Sequence, residues 1–317
     1  MHQNYTILKL DNETIDLIKS GETIESISSV ILELIENSID ANSKNIIIKL
    51  IDNGKKYINV IDDGDGMCEY DAKICFKKHT TSKIKNYSDI TKIKSFGFKG
   101  EALHNICSVS KCCIITKDAS SDFGIQLLII NNEIANFEYI TSKKGTNIKI
   151  FDMFYNIPKK KEFFKNNSLE LNNIIKSINE LYLSNCYLNI SLFNNNKKII
   201  SYHYISFFDS IIDVFGPEIA KHMIKIETKK NNDDCIKISG YISEIKYNSS
   251  SYENIYIIIN KKPIKLLWIK KLISESYNTY SIKNKYPFLV LYINVPEEFI
   301  DFNSTPYKNI IKFKDEK

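Results

Sequence analysis

Between Ile24 and Asp40 apolar side chains fall at residues 24, 27, 30, 31, 32, 34, 35 and 39, so a helix here must be packed around most of its circumference. A helix that apolar needs a covering layer, and its few polar positions are correspondingly informative. Two of them, Glu33 and Asn37, lie four residues apart and share one face. A carboxylate can take a proton from water, and an amide oxygen can help hold a hard cation. Base and metal ligand on one rigid turn suit metal-assisted hydrolysis of a phosphate, whereas an ordinary exposed helix face is the plainer reading of the same pair.

The rest of the chain supplies the layer. Strand-like runs are predicted at 45–51 and 56–62, joined by the hairpin signal Asp52-Asn53-Gly54. A leader and small helix occupy 7–20, and residues 69–77 read as a helix. Residues 78–100 form a long excursion with little periodicity, and 101–109 restart as a helix. Strands follow at 111–117, 124–130 and 146–151, with a weaker one near 135–140; then come a helix over 168–186 and strands within 187–205. Composition shifts near residue 206, where a second pattern begins: strands at 234–246 and 254–260, a helix at 265–279 with the only tryptophan, Trp268, and a strand at 288–295. The expected architecture is α/β (α+β) in two domains, 1–205 and 206–317: a mixed sheet with helices on one face, followed by a smaller α/β domain.

Composition limits the function classes. With 43% hydrophobic and 26% charged residues over 317 positions, the chain is foldable and long enough for two cores. The net charge of +5 permits a nucleic-acid partner without requiring one. All 43 basic residues are lysine, so any phosphate grip relies on flexible point charges instead of the arginine fork. The seven cysteines are odd in number and lack C-x-x-C spacing, which argues against a zinc site or a disulfide framework. No apolar signal segment opens the sequence, and no run reaches membrane-span length, so no membrane association is expected.

Three further constellations stand out. Asp62-Asp63-Gly64-Asp65-Gly66-Met67 ends a predicted strand; an acid there can accept from an exocyclic amine, and glycines leave room for a flat base. Lys78-His79-Thr80-Thr81-Ser82-Lys83 and Ser95-Phe96-Gly97-Phe98-Lys99-Gly100-Glu101-Ala102-Leu103 bracket the excursion, the second ending at a helix mouth where backbone N–H groups suit an anion. Asp301-Phe302-Asn303-Ser304-Thr305-Pro306-Tyr307-Lys308 lies far downstream. Each alone also reads as a turn, a surface loop or a solvated charge.

Together, and in this order with Gly145-Thr146 and Phe154-Tyr155-Asn156-Ile157-Pro158, these blocks resemble the N-terminal ATPase region of MutL-type mismatch repair proteins. That family belongs to the GHKL superfamily with DNA gyrase B, Hsp90 and histidine kinases. The resemblance implies a GHKL (Bergerat) ATP-binding sandwich followed by a ribosomal protein S5 domain 2-like transducer domain. It implies ATP and Mg2+ as cofactors, with Glu33 as general base, Asn37 as metal ligand, Asp62 on the adenine amine with Thr146 nearby, and Gly66 lining the base pocket. Thr81, Ser82, Lys83, Gly97, Phe98, Lys99, Gly100 and Glu101 would form lid and phosphate cradle, and Lys308 would reach the γ-phosphate. Closure would order about residues 1–20 against a partner ATPase domain and clamp DNA, with MutS-type proteins as further partners.

Lys78-His79, Thr305 and Val214-Phe215-Gly216 look most like the eukaryotic PMS2-type subunit, which implies an MLH1-type partner and a nuclear location. Asp63 departs from the family's asparagine, and adds negative charge near the polyphosphate. Lys99 keeps the charge of a customary arginine without its fork. Full-length relatives continue into a dimerisation domain that in the PMS2 type carries a nuclease site, so this stretch reads as a fragment, monomeric without ATP and without nuclease activity. A nucleotide-gated interaction module without turnover is the main alternative; a chaperone or topoisomerase ATPase is a more distant one.

Overall fold

The computed structural model describes residues 10–83, 100–165, 169–228, 236–264, 266–280, 285–296, 299–301 and 312–313. The chain divides into two compact units, one of residues 1–175 with 189–201, the other of 176–188 with 202–317.

The first unit opens with α1 (Asn12–Thr23) and α2 (Ile27–Asp40). Ser26 caps α2 by accepting the Ser29 N–H, and the Ser29 hydroxyl returns the bond, a reciprocal capping box. Four isoleucines and a valine make α2 a poor helix by propensity, at a cost of roughly 0.5 kcal/mol each. Burial decides the outcome: Ile27, Val30, Ile31, Leu34, Ile35 and Ile39 are all sequestered, at about 1.5–3 kcal/mol apiece. The buried carboxylate of Glu170 accepts the Ser28 N–H at 2.8 Å and fixes the start of the helix.

Strands β1 (Asn45–Ile51) and β2 (Tyr57–Asp62) follow, then α3 (Glu69–Ile74), α4 (Ala102–Val109), β3 (Lys111–Lys117), β4 (Gly124–Ile130), β5 (Glu133–Ile140), β6 (Gly145–Phe151), α5 (Pro158–Lys165), α6 (Glu170–Ser184, whose residues from 176 on belong to the second unit), β7 (Asn189–Asn194) and β8 (Lys197–Tyr202). The eight strands form one sheet in the order β5-β4-β3-β6-β2-β1-β7-β8. It is mixed, as expected, because β1 and β7 run parallel while β1–β2, β2–β6, β6–β3, β3–β4 and β4–β5 are antiparallel. Along β1 the even residues Ile46, Ile48 and Leu50 are buried and the odd ones exposed, so one face is covered and the other meets solvent. Helices α2 and α4 pack on the strands of this sheet. Asparagine pairs in left-handed backbone, Asn131-Asn132 and Asn195-Asn196, make the β4–β5 and β7–β8 turns. Asparagine tolerates this conformation better than most residues, so the asparagine-rich composition serves the hairpins.

In the second unit come α7 (Phe207–Phe215), α8 (Pro217–Ala220), β9 (Met223–Glu227), β10 (Lys237–Ser243), β11 (Asn248–Ser249), β12 (Ile255–Ile259), β13 (Lys262–Pro263), α9 (Leu267–Asn278), β14 (Tyr286–Pro287), β15 (Leu289–Asn294), β16 (Ile300–Asp301) and β17 (Lys312–Phe313). Its main sheet runs β13-β12-β15-β10-β9. Strands β12 and β15 are parallel and joined through α9, the crossover that parallel neighbours require. Every residue of β12 is buried. Ile255, Ile257 and Ile259 pack with Ile269 of α9, while Tyr256 and Ile258 pack with Leu183 of α6 and Val214 and Phe215 of α7. Helices therefore cover both faces here, which explains why residues 254–260 lack the alternation of β1. The short helices α5, α7 and α8 are absent from the sequence-based expectation, since their apolar runs are too brief to show a period. No described helix is long and apolar enough to cross a membrane. The six described cysteines are free.

Candidate functional site

On α2, Glu33, Asn37 and Asp40 are half-buried along one stripe, at spacings of four and three. Asn37 Oδ1 accepts from Lys83 Nζ at 3.1 Å, and the same ammonium group pairs with Asp40. Lys83 thus joins the predicted metal ligand across 46 residues of sequence. Its turn is set locally, with its N–H donating to Thr81 Oγ1 at 3.2 Å; Thr81 and Ser82 are exposed.

Ser38, next to Asn37, points to the other half of the site. Its hydroxyl lies 3.0 Å from both the Leu34 carbonyl and Asp62 Oδ2. Asp62 closes β2, where Oδ1 accepts the Gly64 N–H at 2.9 Å and the Thr146 N–H at 3.3 Å. Burial pushes the Asp62 carboxyl above its ordinary range, with the hydrogen bonds from Gly64, Ser38 and Thr146 opposing it. A raised carboxyl pKa means that the folded state holds the proton more tightly than the unfolded one. Asp62 therefore favours folding at low pH, and that contribution is lost as pH rises from about 4 through its folded pKa. Asp62→Asn should flatten this fall in stability, read by denaturant unfolding at pH 4 and pH 7. An unchanged difference between the two pH values would refute the assignment.

Register places Asp62 opposite Thr146 and Thr146 opposite Thr116, one row across β2, β6 and β3. Glycines let the loops close on this row. Gly66 has φ +71°, and a methyl group there would overlap the Lys117 carbonyl. Gly145 has φ +121° and abuts the Asp62 carbonyl in the same way. Asp63 is directed elsewhere: its carboxylate accepts from Lys44 N, Asn45 N and Asn45 Nδ2 at 2.8, 2.9 and 2.6 Å and holds the entry to β1. Burial raises its pKa, but these bonds outweigh burial and hold it below the ordinary value. Its extra charge is engaged by that turn.

Gly100 and Glu101 meet the other end of the 78–100 excursion. Gly100 accepts the His79 N–H at 3.1 Å through its carbonyl, and its φ of +62° seats it against Thr80. Glu101 holds the N-cap position of α4 and lies 3.4 Å from His79 Nδ1, so a carboxylate stands at the helix mouth expected to take an anion. Gly97, Phe98, Lys99 and Lys308 lie outside the described residues. Sequence reasoning missed Ser38, Asp40 and Thr116. Asp40 was within reach, because it stands one turn beyond Asn37; the contacts of Ser38 and Thr116 depend on distant strands. A polar cavity of about 550 Å³ is lined by Asp16, Lys19, Glu22, Lys78, His79 and Glu101 among others, and Glu101 is its only lining residue among those predicted for the site.

Residues 24–156 match the family model described as Histidine kinase-, DNA gyrase B-, and HSP90-like ATPase, and residues 211–317 match DNA mismatch repair protein, C-terminal domain. A MutL of Clostridium botulinum is 38% identical over 97% of this chain, and one of Clostridium perfringens 35% identical over 97%. The chain spans about half the length of these relatives, 46% and 45%. Among solved structures, the N-terminal domain of a DNA repair protein superposes with a TM-score of 0.81 at 27% identity, covering 94% of this chain and 92% of that one. The Aquifex aeolicus MutL ATPase domain complexed with ADP gives 0.66 at 22% identity over 86% and 93%, a likeness of fold.

Sheet, site and matched model define a GHKL ATPase-fold protein. Within that class the chain belongs to the MutL family, as an N-terminal region of the bacterial type.

This corrects the expected PMS2-type subtype and its MLH1-type partner, for which the relatives give no support. It also overturns the nuclear location, since the close relatives are proteins of bacteria, which have no nucleus. The residues behind that expectation answer local needs. Lys78 pairs with Asp16 at 2.5 Å, Phe215 packs on Tyr256 and Phe288, and Gly216 ends α7 at φ +82°. Thr305 lies outside the described residues.

Proposed function

We propose that this chain binds ATP with Mg2+ and hydrolyses it slowly, as the nucleotide-driven part of a MutL-type mismatch repair protein. One observation carries the reading: the Ser38 hydroxyl on Asp62 ties the polar stripe of α2 to the row of Asp62, Thr146 and Thr116 across β2, β6 and β3. Asp62, an acceptor hemmed by glycines, suits the adenine amino group. Glu33, on α2, takes a proton from the attacking water. The all-oxygen pair Asn37 and Asp40 already receives a cation in the Lys83 ammonium group, which fits a hard metal ion. Bound there with the phosphates, Mg2+ would offset charge that develops on them. Lys83 would have to leave this position for the metal. Gly97, Phe98, Lys99 and Lys308 enter the reading through family resemblance alone.

The second unit, with its five-stranded sheet and parallel crossover, supports an S5 domain 2-like transducer. A second MutL-type chain and DNA are the proposed partners, with nucleotide state shifting the population of a closed form. Lys83 also favours the module reading, because a cation switch on Asn37 works without turnover. Titration with a non-hydrolysable ATP analogue, with and without Mg2+, and phosphate release from ATP decide between them. Binding with EDTA-sensitive turnover supports the enzyme, binding without turnover leaves the gated module, and no binding defeats both.

Lys83→Met should strengthen Mg2+-dependence of analogue binding if the ammonium competes for the metal position. Chelator titration would show a several-fold tighter apparent Mg2+ affinity; no change would mean that the pairing with Asn37 and Asp40 is irrelevant to the metal.

A further inference from the structure

Thr116 is 1% exposed and belongs to none of the roles above. Its hydroxyl meets three partners: it accepts the Met67 N–H at 2.9 Å, lies 3.1 Å from the Gly145 carbonyl, and lies 3.2 Å from Thr146 Oγ1. A threonine hydroxyl has one proton and two lone pairs. The Met67 N–H fills one lone pair. The Gly145 carbonyl can only accept, so it takes the proton. The remaining lone pair then receives the proton of Thr146. The Thr116 hydroxyl is thereby saturated, and Thr146 is left with lone pairs alone for any ligand.

We infer that Thr116 is a positioning and specificity residue that fixes Thr146 as a hydrogen-bond acceptor beside Asp62, so that this row accepts a purine bearing an exocyclic amine and rejects one bearing a carbonyl there. The inference rests on the nucleotide reading given above. Thr146 stands opposite Asp62 in the β2–β6 register, so two acceptors line the same edge. The amino group of adenine has two protons for them. Hypoxanthine and guanine place an oxygen at that position and meet two lone-pair donors instead. Thr116 also anchors the loop that carries Gly66 to β3, through Met67. Without its hydroxyl, Thr146 regains a free proton and can turn it towards a carbonyl.

The test is competition binding of non-hydrolysable ATP, ITP and GTP analogues to the full chain, wild type and Thr116→Val, with Thr116→Ser as rescue. Thermal unfolding of each variant reports the structural cost separately. The expected result is a tenfold or greater loss of the ATP-over-ITP preference in Thr116→Val, restored in Thr116→Ser. If Thr116→Val lowers the unfolding temperature and weakens all three analogues equally, Thr116 is merely structural and the inference is overturned. Should Thr116→Val not fold, Thr116→Cys, whose thiol is a weak donor and acceptor, must show the same loss of preference, and an unchanged preference there refutes the idea. A wild-type chain that binds none of the analogues sinks the nucleotide reading itself, a different failure from an intact preference that ignores residue 116.

Discussion

Glu33→Gln should reduce phosphate release from ATP by about 10²–10⁴-fold while leaving analogue affinity within a few-fold of wild type. The change keeps the size of the side chain and removes the basic carboxylate. Glu33 is half-buried on the stripe of α2, so no cavity forms and the packed isoleucines behind it are undisturbed. The loss corresponds to roughly 2.7–5.5 kcal/mol of barrier, far above what one surface hydrogen bond contributes. Asn37, Asp40 and Lys83 keep their contacts, so the metal position survives. A variant that turns over at the wild-type rate would remove Glu33 from the chemistry. One that loses affinity and turnover together would assign it to binding.

Gly66→Ala is expected to be the most damaging single-methyl change in the first unit. At φ +71° any L side chain is strained, at about 1–2 kcal/mol, and here the new Cβ would also overlap the carbonyl of Lys117 and approach Asp118 N at 3.1 Å. These are backbone atoms of β3 and the turn after it, which cannot rotate away. Roughly 3 kcal/mol or more is expected, a fall of about 6–12 °C in unfolding temperature. Gly216 supplies an internal control. Its φ of +82° and ψ of 157° are backbone that L residues rarely adopt, but nothing lies within 4 Å of the added methyl, so Gly216→Ala should cost only the conformational part, about 1–3 kcal/mol. Equal shifts for the two variants would show that the contact with Lys117 contributes nothing. Nucleotide binding should fall in Gly66→Ala alone, since Met67 can no longer reach Thr116.

Much of the fold was legible because period and turn chemistry act over short distances. The strands at Asn45–Ile51 and Lys111–Lys117 and the helix at Ile27–Asp40 fall where apolar spacing and asparagine- or glycine-bearing turns put them. The alternation along β1 reports a sheet with one covered face, whereas the unbroken apolar run of β12 reports cover on both, a distinction the run alone could not make. The eukaryotic subtype does not hold, because Lys78, Phe215 and Gly216 carry local structural duties that say nothing of lineage.

The site divides along the same line. Glu33 and Asn37 could be paired from sequence because a helical turn fixes their neighbourhood, and Asp62 because it ends a strand before two glycines. Their protonation and partners could not. Burial in the folded unit raises the carboxyl of Asp62, while an adjacent acid, Asp63, is held low by three donors at the start of β1. Lys83 on Asn37, Ser38 on Asp62 and Thr116 on Thr146 span 46, 24 and 30 residues. The first two depend on how a loop and a strand pack on α2, the third on strand order and register, and none on a local preference. Sequence determined which side chains could do this chemistry; only the tertiary structure decided which of them meet, because hydrogen bonds act over about 3 Å and the chain must fold to bring distant atoms that close.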